Sequence, residues 1–161
     1  MILNIVILAL VTLQRLGELW LSNRNTRRLI ATGAREYGRE HYPLIVLVHA
    51  LWLGTLWFFA LRRPVDGFWL GLFVLLEIAR IWVLASLGRR WTTRIIILPN
   101  APLVRRGPYR FVSHPNYLVV IGEIAVLPLV FGLPFVALIY SMLNATVIAI
   151  RVREENRALG R

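Results

Sequence analysis

The chain contains apolar runs too long and too poor in charge to be packed inside a small soluble domain. A bilayer hydrocarbon core is about 30 Å thick, so a helix that crosses it needs roughly 20 mostly apolar residues. Ile2 to Leu21, Pro43 to Leu61 and Phe68 to Leu87 each meet that length. The last run, Tyr117 to Ile150, is too long for one crossing and is interrupted by Gly132-Leu133-Pro134, a turn signal that predicts a tight helical hairpin. The spacing therefore predicts an all-α integral membrane protein with about five transmembrane helices. Hydrophobic residues make up 58% of the chain and the mean hydropathy is +0.64, beyond what a soluble domain of this size usually carries. Each hairpin arm has only about 16 or 17 residues, near the lower limit, and should be tilted, thinned around or shielded by protein, the alternative count being three spans plus a re-entrant pair.

Pro43 stands at a helix start, where its missing N–H costs nothing. Residues 1–21 lack the basic start and the small-residue cleavage site of a signal peptide and are expected to be a retained anchor. All 19 basic side chains are arginine. Five lie in 22–42, six in 88–116 and four from Arg151 onward, against Arg62 and Arg63 in the remaining connection. By the positive-inside rule the N-terminus is outside, and the 88–116 loop and the C-terminus are cytoplasmic.

A net charge of +11 could also suit nucleic acid, but these arginines are divided among three juxtamembrane segments. Membrane lipids with anionic headgroups are the expected partner, not nucleic acid. Cysteine is absent, which excludes disulfides, thiolate ligands and cysteine nucleophiles. His41, His49 and His114 lack metal-ligand spacing, so no metal is expected.

Polar chemistry collects at one edge of the apolar part. Arg35, Glu36, Arg39 and Glu40 alternate in sign and suit a short interfacial helix or turn. Trp91 to Leu98 has the β-branched character of an extended segment, and Pro99, Pro102 and Pro108 forbid a continuous helix beyond it. Irregular backbone at membrane depth persists where it is buried in protein or lines a cavity, and a cavity can hold a ligand. Gly107 to Tyr117 then brings together Tyr109, Arg110, His114 and Tyr117, with His114 held extended by Pro115. Such a cluster offers aromatic faces to a cation or an adenine and donors to a carboxylate. Hairpin arms of nearly equal length return residue 151 to the neighbourhood of residue 117. Arg151 and Glu155, four apart on one helix face, should join the loop cluster.

Within the spans, Arg15 with Glu18 and Glu77 with Arg80 have the spacing of pairs on one helix face. Glu123 has no basic neighbour in its own helix and needs a partner from elsewhere or a proton. Asn144 is expected to be an interhelical hydrogen-bond donor, and Gly71 and Ala79 are candidates for close helix contact, within or between chains, which leaves the oligomeric state open.

The combination Leu103-Val104, Gly107-x-Tyr109, His114-Pro115-x-Tyr117, an apolar hairpin and Arg151-Val152-x-x-Glu155 with Leu159 resembles the isoprenylcysteine carboxyl methyltransferase family of integral membrane enzymes. The resemblance covers the chain from about Trp91 onward. It implies S-adenosylmethionine as methyl donor and a lipophilic small-molecule acceptor reaching the site from the bilayer. Residues Leu103, Val104, Tyr109, His114, Pro115 and Tyr117 would bind the cofactor, with His114 holding it and not serving as a base. Arg151 and Glu155 would be catalytic, Arg151 orienting an anionic acceptor and Glu155 fixing Arg151 or taking a proton. With no internal repeat and no low-complexity linker, the chain is expected to be a single membrane domain, 1–161, with three helices over 1–90 and a cofactor-binding loop, hairpin and C-terminal helix over 91–161.

Two positions depart from the family pattern. Ser113 stands where the family commonly has arginine before the histidine, and the paired acids are here Glu155-Asn156, with Glu154 offset by one. The first half resembles small bacterial members of the family, some of which look like O-methyltransferases acting on long-chain polyketide lipids such as alkylpyrones or alkylresorcinols, which favours a small lipid over a prenylated protein. Two rival readings remain at this level: a membrane reductase of the sterol reductase type, which would bind a nicotinamide cofactor, and a non-catalytic lipid-binding protein, which would bind no cofactor.

Overall fold

Five helices carry the chain, and the turn chemistry of the sequence places most of their ends. The computed structural model describes residues 1–99, 101, 102, 104–158 and 160. Helix α1 spans Ile2–Ala31, α2 Tyr42–Phe59, α3 Gly67–Leu87, α4 Pro115–Val130 and α5 Pro134–Ala158. Two three-residue strands, β1 (Arg35–Tyr37) and β2 (Ile95–Ile97), form an antiparallel ribbon. The protein is an all-α integral membrane protein: α1, α2, α3 and α5 are each long and apolar enough to cross a bilayer.

Pro43 lies in the first turn of α2, as a residue without an N–H should. Asp66 caps α3, its carboxylate accepting from Phe68 N at 2.9 Å and Trp69 N at 3.2 Å. The hairpin turn is closed by backbone bonds from Gly132 N to Leu129 O at 3.0 Å and from Leu133 N to Pro128 O at 3.0 Å. Gly132 has φ +64, a conformation that glycine adopts without a Cβ penalty.

Two local expectations are corrected. Helix α1 runs to Ala31, not Leu21, because its later polar residues have protein partners: Ser22, Asn25 and Thr26 are buried. The charged segment after it opens as strand β1, since the exposed N–H and C=O groups of β2 need a partner, and only then turns through a short 3₁₀ segment, Arg39–His41.

Helix α4 has 16 residues, about 24 Å of length, which is less than the hydrocarbon thickness. It is shielded by protein: eight of its residues are buried, and it packs against both α3 and α5. The core joins Leu8 of α1, Trp52 and Leu56 of α2, Phe73 of α3 and Leu127 of α4. Leu10, Phe58, Phe68, Ile81 and Phe135 point outward, toward lipid in this reading. Helix α3 packs closely on α4 at Gly122, where an added Cβ would come within 2.7 Å of Leu76 Cδ2 and the Leu76 side chain would have to shift. Gly71, by contrast, meets nothing within 4 Å, whereas Ala79 packs beside Val83, Trp91 and Val119.

Charges inside the spans form one network that crosses three helices. Arg80 Nε donates to Glu123 Oε1 at 2.5 Å, a second Arg80 nitrogen reaches Glu123 Oε2, and Arg80 also meets Glu18 at 3.1 Å. Arg15 bonds Glu123 at 2.6 Å and Glu18 at 3.1 Å. The partner that Glu123 lacks in its own helix is thus supplied twice. The expected Glu77–Arg80 pair does not form: Arg80 turns to Glu18 and Glu123, and Glu77 accepts instead from Gln14 Nε2 at 2.7 Å. Asn144 is buried as expected, but its Nδ2 has no protein partner among the described residues, so it is not the interhelical donor anticipated.

Candidate active site

Strand β2 stands beside the ends of α1, α3, α4 and α5 because polar side chains on α1 and α2 hold the segment that leads into it, residues 91–94. Asn25 Nδ2 donates to Trp91 O at 2.8 Å, and Ser22 Oγ accepts from Thr93 N at 2.8 Å. The Tyr42 and Thr93 hydroxyls lie 2.9 Å apart. Arg94 binds Glu36 across the ribbon at 2.7 Å, with its guanidinium 4.2 Å above the Tyr42 ring. These contacts hold β2 against β1 in the register Arg35 to Ile97 and Tyr37 to Ile95.

Further along, the 3₁₀ turn Gly107–Arg110 is pressed against the end of α3. Arg106 Nε donates to Ser86 O at 2.8 Å. Gly107 has φ +58, and a Cβ there would lie 2.1 Å from Ser86 Oγ, so glycine is required both by conformation and by space. This contact sets the position of Tyr109.

The loop, β2 and the ends of α4 and α5 enclose a cavity of about 670 Å³. Val104, Tyr109, His114, Tyr117, Arg151 and Glu155 all line it. Pro115 is buried in the first turn of α4 and does not reach the wall; its place is to start the helix and to hold His114. Leu103 and Leu159 lie outside the described residues. Ser113 is on the wall, as is Arg110.

Tyr117 joins two other wall residues through its hydroxyl. It accepts from Arg151 Nε at 2.8 Å and donates to Glu155 Oε2. Among the described residues Arg151 and Glu155 form no direct ion pair, so the i,i+4 spacing serves to place both on one phenol. The His114 ring stacks on that phenol with centroids 5.3 Å apart and planes 20° from parallel, and its Nδ1 lies 3.7 Å from the same Glu155 oxygen. Burial, with the nearby Glu155 carboxylate adding to it, pushes the Tyr109 phenol well above its ordinary pKa, so Tyr109 presents a neutral hydroxyl.

Other wall residues escaped the sequence reading. Trp91, Arg94 and Asn116 face the cavity, and the Asn116 Oδ1 is buried without a partner among the described residues. Trp91 to Leu98 was legible as extended, but its strand partner is remote in sequence and short, so nothing marked which side faces the cavity.

Residues 69–161 match the isoprenylcysteine carboxyl methyltransferase (ICMT) family. The chain is 34% identical to the uncharacterized protein YpbQ of Bacillus subtilis, over 95% of this chain and 94% of that protein. It is 28% identical to an uncharacterized protein of Haemophilus influenzae, over 90% of this chain and 88% of that one. No solved structure matches it. The chain belongs to the isoprenylcysteine carboxyl methyltransferase family, a family of membrane methyltransferases.

Proposed function

We propose that this member of the isoprenylcysteine carboxyl methyltransferase family is an S-adenosylmethionine-dependent O-methyltransferase whose acceptor is a lipophilic carboxylate or a phenolic or enolic hydroxyl, methylated at the membrane interface. The observation that carries the reading is the convergence of Arg151 and Glu155 on the Tyr117 hydroxyl at the wall of a membrane-edge cavity, inside the matched region.

The cavity suits the cofactor in size and chemistry. Its volume falls within the roughly 300–1,000 Å³ usual for small-molecule sites. Arginines can take a carboxylate, the His114 ring, stacked by one face on Tyr117, has its other face for a base or a sulfonium, and the Asn116 Oδ1, without a partner among the described residues, wants a donor. When bound, S-adenosylmethionine supplies an electrophilic methyl group. Val104, Tyr109, His114 and Tyr117 would hold it, and His114, stacked and paired toward Glu155, acts there as a binding group and not as the base.

The protein's own contribution is alignment and exclusion of water. Arg151 is suited to orienting an anionic acceptor, because its planar guanidinium keeps donors free beyond the one used on Tyr117. A carboxylate acceptor has no proton to lose. A phenolic or enolic acceptor must lose one, and Glu155 is the carboxylate on the wall that can accept it. In this reading the loop and C-terminus are cytoplasmic and the N-terminus is outside, because fifteen arginines fall on the loop side. Small polyketide-type lipids such as alkylpyrones or alkylresorcinols are the acceptors to try first.

The test is transfer of radiolabelled methyl from S-adenosylmethionine to lipid acceptors by protein in nanodiscs, for wild type, Arg151→Ala and His114→Ala. Loss of transfer in Arg151→Ala with weakened S-adenosylhomocysteine binding in His114→Ala supports the assignment. Undiminished turnover in both would sink it. A thermal shift with S-adenosylhomocysteine and none with a nicotinamide cofactor separates the reading from a reductase.

A further inference from the structure

The 3₁₀ turn that carries Tyr109 on its cavity side presents a different surface outward. Phe111 is 77% exposed and Val112 40%, directly after the turn and before α4 begins. Neither belongs to a membrane-spanning helix, so neither is accounted for by the crossing segments. Arg105, Arg106 and Arg110 lie in the same short segment and are exposed too, and Arg105 and Arg110 also reach the rim of the cavity.

Contacts with α3 fix where this surface stands relative to the bilayer. The virtual Cβ of Gly107 lies 3.2 Å from the Trp82 indole nitrogen, and Arg106 holds Ser86 O at 2.8 Å. The turn therefore sits beside the last two turns of a spanning helix, at the depth where a bilayer passes from acyl chains to headgroups. Trp82, itself half exposed, marks that boundary in the way interfacial tryptophans do. An exposed Phe-Val tip at this depth is placed in the acyl region, and long arginine side chains around it can reach the phosphates above.

Of the named salt bridges between described residues, none includes Arg105, Arg106 or Arg110. The Arg110 guanidinium lies 6.0 Å from the Phe111 ring centroid, so the cation and the apolar tip form one patch. A planar guanidinium binds phosphate through paired donors, and juxtamembrane basic groups favour anionic lipid over zwitterionic lipid.

We propose that segment 105–112 is a binding site for the headgroup of an anionic phospholipid, with Phe111 and Val112 inserted into the same leaflet, so that lipid forms the outer support of the wall that carries Tyr109. The occupant is a membrane lipid and not a soluble anion, because the charged part and the acyl-seeking part are adjacent in three dimensions and in sequence. This site does not depend on methyl transfer, and its test uses no cofactor.

The chain has no cysteine, so Val112→Cys gives a unique thiol for an environment-sensitive fluorophore. The labelled protein is placed in nanodiscs of phosphatidylcholine alone or of phosphatidylcholine with phosphatidylglycerol. The expected result is quenching by nitroxide-labelled lipid, stronger with phosphatidylglycerol, and little quenching by aqueous iodide. Arg105→Gln with Arg110→Gln should lose the phosphatidylglycerol dependence, whereas Arg105→Lys with Arg110→Lys keeps most of it. A second measure needs no arginine variant: spin-labelled phosphatidylglycerol should associate at least about fivefold better than spin-labelled phosphatidylcholine, the factor expected for one basic group at an anionic surface, and added salt should reduce the preference. Iodide access in both lipids, or equal association of the two spin-labelled lipids at low salt, overturns the proposal.

Discussion

Arg151 donates its Nε hydrogen to the Tyr117 hydroxyl at 2.8 Å across the α4–α5 hairpin. That hydroxyl donates in turn to Glu155, so one phenol orders the cation and the anion of the candidate site. Removing the hydroxyl leaves both without the group they share. Tyr117→Phe is expected to lower methyl transfer about 10- to 100-fold, the loss of one or two charge-assisted hydrogen bonds. S-adenosylhomocysteine binding should change less, since the ring that stacks on His114 is retained. Equal losses in binding and turnover would show that Tyr117 serves the cofactor alone.

The guanidinium of Arg151 should not be replaceable by an ammonium. Lysine keeps the charge but gives up the planar fork that bonds Tyr117 and leaves further donors for an acceptor. Arg151→Lys is expected to lose at least about tenfold in kcat/KM for the acceptor, with S-adenosylhomocysteine affinity little altered, measured by methyl transfer and calorimetry.

Within the bilayer, Glu123 and Glu77 should differ sharply as sites of substitution. Glu123 is fully buried and pairs with both Arg80 and Arg15, whereas Glu77 is bonded to Gln14. Removing one member of a buried ion pair typically costs about 3–5 kcal/mol. Glu123→Ala should therefore lower the thermal midpoint in detergent by many degrees, and Glu77→Gln should shift it little. A reversed order would overturn the network as the bond between α1, α3 and α4.

Gly107→Ala combines two penalties, a positive φ and a Cβ pressed on Ser86 Oγ. The strained backbone alone is expected to cost about 1–3 kcal/mol. Ser86→Ala should relieve the clash with Oγ and leave the conformational part and the tighter contacts with residue 86 Cβ and Trp82, so the double variant recovers partial stability in thermal unfolding. Full recovery would mean that only the side-chain contact matters at this position.

The apolar run lengths, Pro43 and the Gly132-Leu133-Pro134 turn made the helical membrane architecture and the hairpin readable, because each acts locally along the chain. The meeting of residue 151 with residue 117 was also legible, since two nearly equal arms about one turn leave little freedom. Local spacing misled where a distant partner won. Glu77 lies three residues from Arg80, yet Arg80 is drawn to Glu18 and Glu123. The alternating charges at 35–40 suited a helix or turn, yet β2 recruits 35–37 as a strand.

By itself, then, the sequence determined what the bilayer imposes: apolar stretches of sufficient length, proline and glycine where helices begin or turn, and arginines gathered at one edge. Those properties depend on neighbours in the chain and on the solvent around it. Only the tertiary structure decided how the charges pair, that a 16-residue helix is tolerated because α3 and α5 cover it, and that Tyr117 stands between Arg151 and Glu155. A buried charge or hydroxyl takes the partner that packing brings within reach, and packing is set by contacts far apart in sequence.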